Sequence, residues 1–278
     1  MAEIILEGVN MLGSSLLVFN PTALSLFDTH AHLDSPAFSA ERAEVLARAQ
    51  KVGIQYLLNP GCCLASSQRA FTLAQKFSNV WAAVGLHPQA AENCQPKVLA
   101  ELKQLARNKK VVALGEIGLD LVKNQNSLEV QIKAFWLQLK LAQKLNLPVI
   151  IHARQADKEV WQIIANFPKL RGVVHCFGGD PDFARAILAR GFYLGFTGIC
   201  TFPKAVDVQA TLIATPLKRI LLETDAPFLA PQARRGQRNE PSFLVEILKQ
   251  VAELKKVSKE KVAEVTTKNA LELFQISS

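Results

Sequence analysis

Short apolar runs recur at regular intervals along this 278-residue chain and limit the folds that it can adopt. Each run has four to six residues and is almost continuously apolar, as expected for parallel strands that are buried on both faces. Segments with helical character separate the runs. We therefore predict eight strands, at residues 24–27, 54–59, 80–85, 111–116, 148–152, 172–175, 192–196 and 219–223.

Eight strands that alternate with helices predict a (β/α)₈ (TIM) barrel. The clearest helical segments are 39–52, with Ser39 as its N-cap, 127–146, 182–190, 205–214 and 242–254, and an extra C-terminal helix is predicted at about 258–274. A doubly wound open sheet is the alternative, but GEIGLD at 115–120 lacks the G-x-G-x-x-G spacing of its βα turn. No linker divides residues 24–278, so we expect a single domain.

Residues 1–23 are interpreted as an N-terminal extension of unknown role. They make a poor secretory signal, because Glu3 and Glu7 occupy the region that should be positive and two asparagines interrupt the apolar stretch. No apolar run approaches the ~18 residues that cross a bilayer. The five cysteines are odd in number and have no framework spacing, which favours reduced thiols in the cytoplasm.

The net charge of +8 and the pI near 9.3 favour a polyanionic partner. Nothing in the sequence indicates an obligate protein partner. Aromatic residues make up only 7% of the chain, and no stacking platform for single-stranded nucleic acid is evident. Phe177, Phe202, Phe228 and Trp161 are instead expected in the core or at the rim.

All five histidines of the chain fall at the ends of predicted strands. The carboxyl ends of the strands carry the active site of a barrel. His30 and His32 are one residue apart, so in extended chain they point to the same face. The complete set of strand-end candidates is His30, His32, His87, Glu116, His152, His175, Glu223 and Asp225.

Imidazoles and carboxylates without thiolates suit a catalytic ion such as Zn²⁺ or Mn²⁺ rather than a structural zinc site. Six of the candidates are too many for one tetrahedral ion, so we predict two divalent ions with Glu116 as a bridging ligand. His30, His32 and Asp225 would hold one ion, and His152 and His175 the other. Asp28 either orients a ligand histidine or ends its strand, and Glu223 either supports a ligand or caps its strand.

Basic residues at the same end of the barrel are candidates for substrate binding. Arg154 follows His152 by two residues, and Arg234 and Arg238 lie in the loop PQARRGQRN after the last strand. Arginine binds phosphate with two parallel hydrogen bonds. The alternative for this loop is an ordinary solvated surface.

Seven motifs resemble, in order and spacing, the TatD-like metal-dependent hydrolases within the amidohydrolase-type barrels. The resemblance covers residues 26–275, and GLDL resembles a branch of uncharacterised bacterial paralogues. HCFGG departs from the more usual HCFSG by the loss of a hydroxyl at Gly178. The motifs are FDTHAHLD, GLHP, GEIGLD, PVIIHAR, HCFGG, LLETDAPFL and RRGQRNEP.

The resemblance implies a distorted TIM barrel, a site for Zn²⁺, Mg²⁺ or Mn²⁺, and phosphodiesterase chemistry. The expected activity is that of a deoxyribonuclease that attacks single strands from the 3′ end. Carried over position by position, the implied metal ligands are His30, His32, Glu116, His152, His175 and Asp225.

The resulting hypothesis is a hydrolase that uses a metal-activated water. Asp225 and Glu116 are the expected catalytic residues, and His87, Arg154, Arg234 and Arg238 are the expected substrate-binding residues. For His87 an equally good interpretation is that it fixes the loop after the third strand.

Two alternatives remain open at this point. One is a small-molecule enzyme of the amidohydrolase type, such as a lactonase, a deaminase or another phosphoester hydrolase. The other is a protein that binds nucleic acid without turnover.

Overall fold

The computed structural model describes residues 24–123 and 125–277. Eight parallel strands pair in chain order, each with the next, which confirms the (β/α)₈ barrel and excludes the doubly wound sheet. The strands are β1 (Leu26–Asp28), β2 (Ile54–Pro60), β3 (Val80–Val84), β4 (Val111–Asp120), β5 (Val149–Arg154), β6 (Gly172–His175), β7 (Tyr193–Phe196) and β8 (Ile220–Leu222).

Helices follow the strands around the outside of the barrel. They are α1 (Arg42–Lys51), α2 (Leu64–Lys76), α3 (Pro96–Leu105), α4 (Leu128–Leu145), α5 (Asp157–Ile164), α6 (Pro181–Ala189), α7 (Val206–Ala214), α8 (Leu244–Lys255) and α9 (Lys259–Phe274). The apolar pattern above located no helix at α2, α3 or α5. No helix within the described ranges is both long and apolar enough to span a membrane.

The predicted N-cap of the first helix is wrong. Ser39 ends a short 3₁₀ turn, where its N–H bonds to Pro36 O at 3.1 Å, and α1 begins only at Arg42, after Glu41. Serine satisfies the free N–H groups of a helix only when it directly precedes them. The turn at 36–38 places Ser39 three residues too early.

Strand β4 is longer than predicted and ends at Asp120 rather than at residue 116. Gly118 permits the extension, because a Cβ there would lie 2.0 Å from His152 O, and its φ is +146°. Glycine allows such close backbone approach and this φ. As a result β4 and β5 remain paired as far as Asp120 and Arg154.

Strands β1 and β8 are short, and the segments that come after them in the chain close the barrel between β8 and β1. Asp225 N donates to His30 O at 2.8 Å, and His32 N donates to Ala226 O at 2.8 Å. Ala31 and Ala226 form an isolated parallel bridge. Closure therefore takes place at the carboxyl end and brings Asp225 beside the two histidines of the H-x-H pair.

A buried carboxylate reinforces this closure. Asp28 accepts hydrogen bonds from Thr224 Oγ1 at 2.6 Å, from Thr224 N at 2.9 Å and from His30 N at 3.3 Å. Burial raises the pKa of Asp28 to about 7, although these bonds act in the opposite direction. Asp28 thus does more than end β1, since it ties the segment before His30 to the segment before Asp225.

The predicted C-terminal helix, α9, covers the opposite end of the barrel. Thr267 Oγ1 donates to Ser25 O, and Asn269 Nδ2 donates to the carbonyls of Leu217 and Ile220, before and at the start of β8. Phe274 packs 6.0 Å from the ring of Phe27. The carboxyl ends of the strands stay open. The single domain predicted for residues 24–278 stays a prediction, and residues 1–23 lie outside the described residues.

Candidate metal centre

The carboxylate of Glu116 lies at the centre of the cluster that the five histidines form. Its side chain, on β4, is only 4% exposed, and each histidine places a ring nitrogen within 4 Å of one of its oxygens. The strand-end histidines therefore converge, as the sequence pattern predicts. The distances to the nearer carboxylate oxygen are 2.8 Å from His152 Nδ1, 3.3 Å from His30 Nε2, 3.7 Å from His87 Nε2, and 3.9 Å from both His32 Nε2 and His175 Nε2.

A second carboxylate, Asp225, approaches the same cluster from the segment after β8. Its Oδ1 lies 3.4 Å from His32 Nε2, 3.7 Å from His30 Nε2 and 4.0 Å from His175 Nε2. Burial raises the pKa of Asp225, but its hydrogen bond with His32 and the neighbouring imidazoles outweigh burial and lower it overall. The carboxylate is therefore held in its ionised form, which is the form that binds metal.

Among the described residues, three groups of donor atoms lie close enough together to hold a metal ion. They are His30 with His175 and Asp225, His30 with His32 and Glu116, and His87 with Glu116 and His152. This differs from the partition expected from the sequence. The rings of His175 and His30 stack at 3.6 Å, whereas those of His175 and His152 are 6.4 Å apart. His87, assigned above to the substrate, lies in the group of His152.

His30 is the best test of whether these residues fit a cation. It is completely buried, and neither ring nitrogen makes a hydrogen bond with any residue that the structure describes. Burial and the neighbouring His175 lower its pKa, so the ring is neutral and keeps a lone pair. Such an orphaned polar group is costly, and a divalent ion would satisfy it. Imidazoles beside ionised carboxylates are a donor set that fits Zn²⁺ or Mn²⁺.

Two further carboxylates lie beside histidines of this cluster. Glu223 Oε1 lies 2.9 Å from His175 Nδ1 and accepts the N–H of Cys176 at 2.6 Å. Asp120 Oδ2 lies 3.3 Å from His152 Nε2. Outer carboxylates of this kind set the tautomer and direction of a ligand imidazole.

Asp120 is not among the residues predicted from the sequence. It follows Glu116 by four residues, so in a strand both side chains point to the same face. The four-residue spacing from Glu116 could therefore have identified Asp120 from the sequence.

Metal binding at His152 is expected to strengthen with pH. Burial lowers the pKa of His152, but its hydrogen bonds with Asp120 and Glu116 outweigh burial and raise the pKa to about 9 in the ion-free protein. Below that pH a proton occupies the ring, and a cation must displace it. We therefore expect the apparent affinity to rise about tenfold per pH unit below pH ~9 for each displaced proton.

Competition with a chromophoric chelator at pH 6, 7 and 8 measures this slope. Burial lowers the pKa of His87 to about 4, so His87→Asn should leave the slope unchanged, whereas His152→Asn should reduce it by one proton. An affinity that does not vary with pH would contradict the assignment of His152 as a ligand.

These groups form the floor of a cavity of about 1020 Å³. Arg154, one of the predicted substrate-binding residues, lines the cavity and is exposed. Lys123 and Arg69 line it as well, and neither was singled out in the sequence. Arg69 is paired with Asp34 at 2.9 Å. Among the described residues, Lys123 and Arg154 make no ion pair.

The structure does not bring the other two predicted arginines to this cavity. Arg234 lies 3.7 Å from Glu246, with its guanidinium 5.0 Å from the ring centre of Phe243. Arg238 pairs with Glu41 at 2.9 Å and donates to Ala37 O at 2.7 Å. These contacts attach the loop after β8 to α8 and to the chain around α1.

Cysteines also reach the cavity, which the sequence did not indicate. Cys62 Sγ lies 3.9 Å from both His32 Nδ1 and Glu116 Oε2. Burial raises the pKa of Cys62, so the thiol form is favoured. All five cysteines are free thiols.

A (β/α)₈ barrel with imidazoles and ionised carboxylates gathered at the carboxyl ends of its strands has the architecture and the donor groups of a metal-dependent hydrolase. The profile of the family described as TatD related DNase matches residues 27–275. The chain therefore belongs to the TatD-related DNase family.

Similar proteins agree with this membership. The chain is 37% identical over 254 residues to the uncharacterized metal-dependent hydrolase YabD of Bacillus subtilis (strain 168), covering 91% of this chain and 100% of YabD. It is 38% identical to the 3′-5′ ssDNA/RNA exonuclease TatD of Cronobacter sakazakii, covering 90% and 97%. The crystal structure of YJJV, a TatD homolog from Escherichia coli K12, matches with a TM-score of 0.86 and 32% identity, covering 91% and 98%. The protein is thus a metal-dependent hydrolase that acts on ester bonds.

Proposed function

We propose that this protein is a nuclease that removes nucleotides from the 3′ end of single-stranded nucleic acid, with DNA as its main substrate. The observation that carries the proposal is the convergence of five histidines and Asp225 on Glu116, at the floor of a cavity whose wall carries two cations that make no ion pair with any described residue. Relatives named as 3′-5′ ssDNA/RNA exonucleases support the same class of substrate.

We propose two divalent ions, Zn²⁺, Mg²⁺ or Mn²⁺, as the cofactor. Glu116 has oxygens toward both His30 and His152, so its carboxylate is suited to lie between two ions. The proposed ligands are His30, His32, Glu116, His152, His175 and Asp225, with His87 as an additional neighbour. When bound, the ions supply an activated water and neutralise charge on the phosphate.

The chain's own residues then have distinct roles. Asp225 is ionised and near three imidazoles, so it can accept the proton of the attacking water. His87 Nδ1 accepts the N–H of Gln89 at 3.2 Å. That bond leaves the ring proton on Nε2, which faces the centre and can donate to a phosphate oxygen. The buried Glu223 keeps His175 in one orientation.

We propose that Arg154 and Lys123 contact phosphates of the substrate. Arg154 is the last residue of β5, and Lys123 follows the end of the neighbouring strand β4. Both residues line the wall of the cavity. Arg154→Ala and Lys123→Ala should each reduce the salt dependence of single-strand binding, lowering the slope of log K against log[salt] by about 0.7. Binding is measured with a fluorescent strand whose linkages cannot be hydrolysed.

Arg234→Ala is the matched control for this measurement. It removes an equal charge from a residue that lies against Phe243 and Glu246 outside the cavity, so the slope should not change. A changed slope in Arg234→Ala, with normal slopes in the other two variants, would transfer the phosphate contact to the loop after β8.

We also propose a cytoplasmic location and a single domain over residues 24–278. Five free thiols support a reducing compartment. The proposal requires no protein partner.

The decisive experiment is elemental analysis of the purified protein, followed by assays with each metal. The substrates are single-stranded DNA, single-stranded RNA, duplex DNA and small phosphoesters, lactones and amides. We expect one to two equivalents of metal and release of mononucleotides from the 3′ end of single strands. Turnover of a lactone or amide without cleavage of any phosphodiester would instead favour a small-molecule amidohydrolase. Salt-sensitive binding of DNA without cleavage would favour a binding protein.

A further inference from the structure

Phe228 is the only exposed aromatic side chain among residues 24–123 and 125–277. It is 59% exposed, whereas the other described phenylalanines, tyrosines and tryptophans are buried or half-buried. It lies on the wall of the cavity, three residues after Asp225. An open aromatic ring beside a catalytic centre is a feature that core packing does not explain.

The backbone of Phe228 is held firmly despite this exposure. Its N–H donates to Asp225 O at 2.9 Å, and its carbonyl accepts from Asn239 Nδ2 at 2.5 Å. Asn239 is completely buried and also donates to Thr224 O at 2.8 Å. The next residue packs closely as well, since a Cβ on Gly198 would lie 2.2 Å from Leu229 O. The ring is therefore presented by an ordered segment.

The position of the ring relative to the metal centre is also defined. Its centroid lies 6.1 Å from that of His32, with the two planes inclined at 69°. This edge contact leaves much of the Phe228 ring open to the cavity. A flat group that stacks on this ring would therefore lie beside His32 and close to Asp225.

The two sides of the cavity differ in chemistry. Ile199 and Leu229 line it near Phe228, so that side offers an apolar patch. Phe228 follows β8, and in an eight-stranded barrel β4 lies opposite β8. Lys123 follows β4, and Arg154 follows the adjacent β5. A polynucleotide has phosphates that suit the cationic side and bases that suit the apolar side.

We propose that Phe228 is the stacking platform for the nucleobase next to the phosphate that is cleaved. This inference rests on the proposed nuclease function and extends it to the way in which the strand end is chosen. In a duplex the terminal base is held by its partner and by its inner neighbour and must be unpaired before it can be turned onto the ring, whereas the base at the end of a single strand turns out without breaking a pair. Stacking on an aromatic ring does not depend strongly on which base is present, so the platform would select single strands without reading their sequence.

The test compares two single-stranded oligonucleotides, one ordinary and one whose 3′-terminal nucleoside lacks its base. Phe228→Ala should raise KM for the ordinary strand about tenfold, with kcat changed less than about twofold, because stacking contributes to substrate and transition state alike. For the abasic strand the variant and the wild type should have the same KM. Phe228→Trp should restore the ordinary KM.

Val206→Ala is the matched control, because Val206 is 64% exposed on α7 and does not line the cavity. Metal content should be equal in all these proteins. Equal losses by Phe228→Ala on both strands, or no change on either, would overturn the stacking role. If the wild type cleaves neither strand, the proposed nuclease function fails. If it cleaves both and Phe228→Ala behaves as the wild type, only the stacking proposal fails.

Discussion

The substitution Glu116→Gln is expected to remove bound metal and to lower kcat/KM by more than about 100-fold. Changing even an outer partner of a metal ligand costs about 10–100-fold in affinity or activity, and Glu116 faces the donor nitrogens directly. Its oxygens lie within 4 Å of all five histidines. Burial raises the pKa of Glu116, but the surrounding imidazoles lower it well below its usual range. Glutamine fits the same space without the charge.

Metal content by elemental analysis and turnover on single-stranded DNA measure this effect. The far-ultraviolet circular dichroism spectrum should stay that of the wild type, because the main chain of β4 keeps its ladder. Glu264→Gln is the matched control, since Glu264 is exposed on α9 and its one ion pair within the described part of the chain is with Lys261 at 3.0 Å. Full metal content together with full turnover in Glu116→Gln would refute a bridging carboxylate at this position.

The substitution Asp225→Asn is expected to lower kcat by about 10²–10⁴-fold, the usual contribution of a positioned acid or base. Asparagine keeps the shape of Asp225 but cannot accept the proton of water. Glu116 and His152, two of the proposed ligands, belong to a donor group that does not include Asp225. We therefore expect this variant to retain part of its metal, unlike Glu116→Gln.

Single-turnover kinetics and metal content, measured on the same preparation, separate these two roles. Asp182→Asn is the control, because Asp182 is exposed on α6 and pairs with Arg185. A kcat within about tenfold of the wild type would mean that Asp225 is only a replaceable ligand. Complete loss of metal would mean that it holds both ions.

The positions of His30 and His32 could be predicted from the sequence, but their full grouping with other donor residues could not. His30 and His32 were expected at the end of the first strand, and they lie directly after β1. Their partner Asp225 was also expected at a strand end. The grouping of His175 with His30, and of His87 with His152, was not expected. That grouping depends on ring orientations, which Glu223 sets for His175 and Asp120 influences for His152.

Apart from Arg154, the sequence did not predict which cationic side chains reach the cavity. Arg234 and Arg238 are close to Asp225 along the chain, and that closeness made them candidates for the substrate. The loop that carries them turns toward Glu246 and Glu41 instead. Lys123, more than a hundred residues before Asp225, lines the cavity.

The sequence by itself determined the barrel and placed the five histidines, Glu116, Glu223 and Asp225 at its carboxyl end. Buried parallel strands need continuous apolar runs, and parallel strands in one sheet place their carboxyl ends together whatever the loops do. Only the tertiary structure decided which donor atoms share an ion, which cations reach the cavity and which aromatic ring stays open. Those outcomes depend on side-chain directions and loop paths, and contacts between distant residues set both.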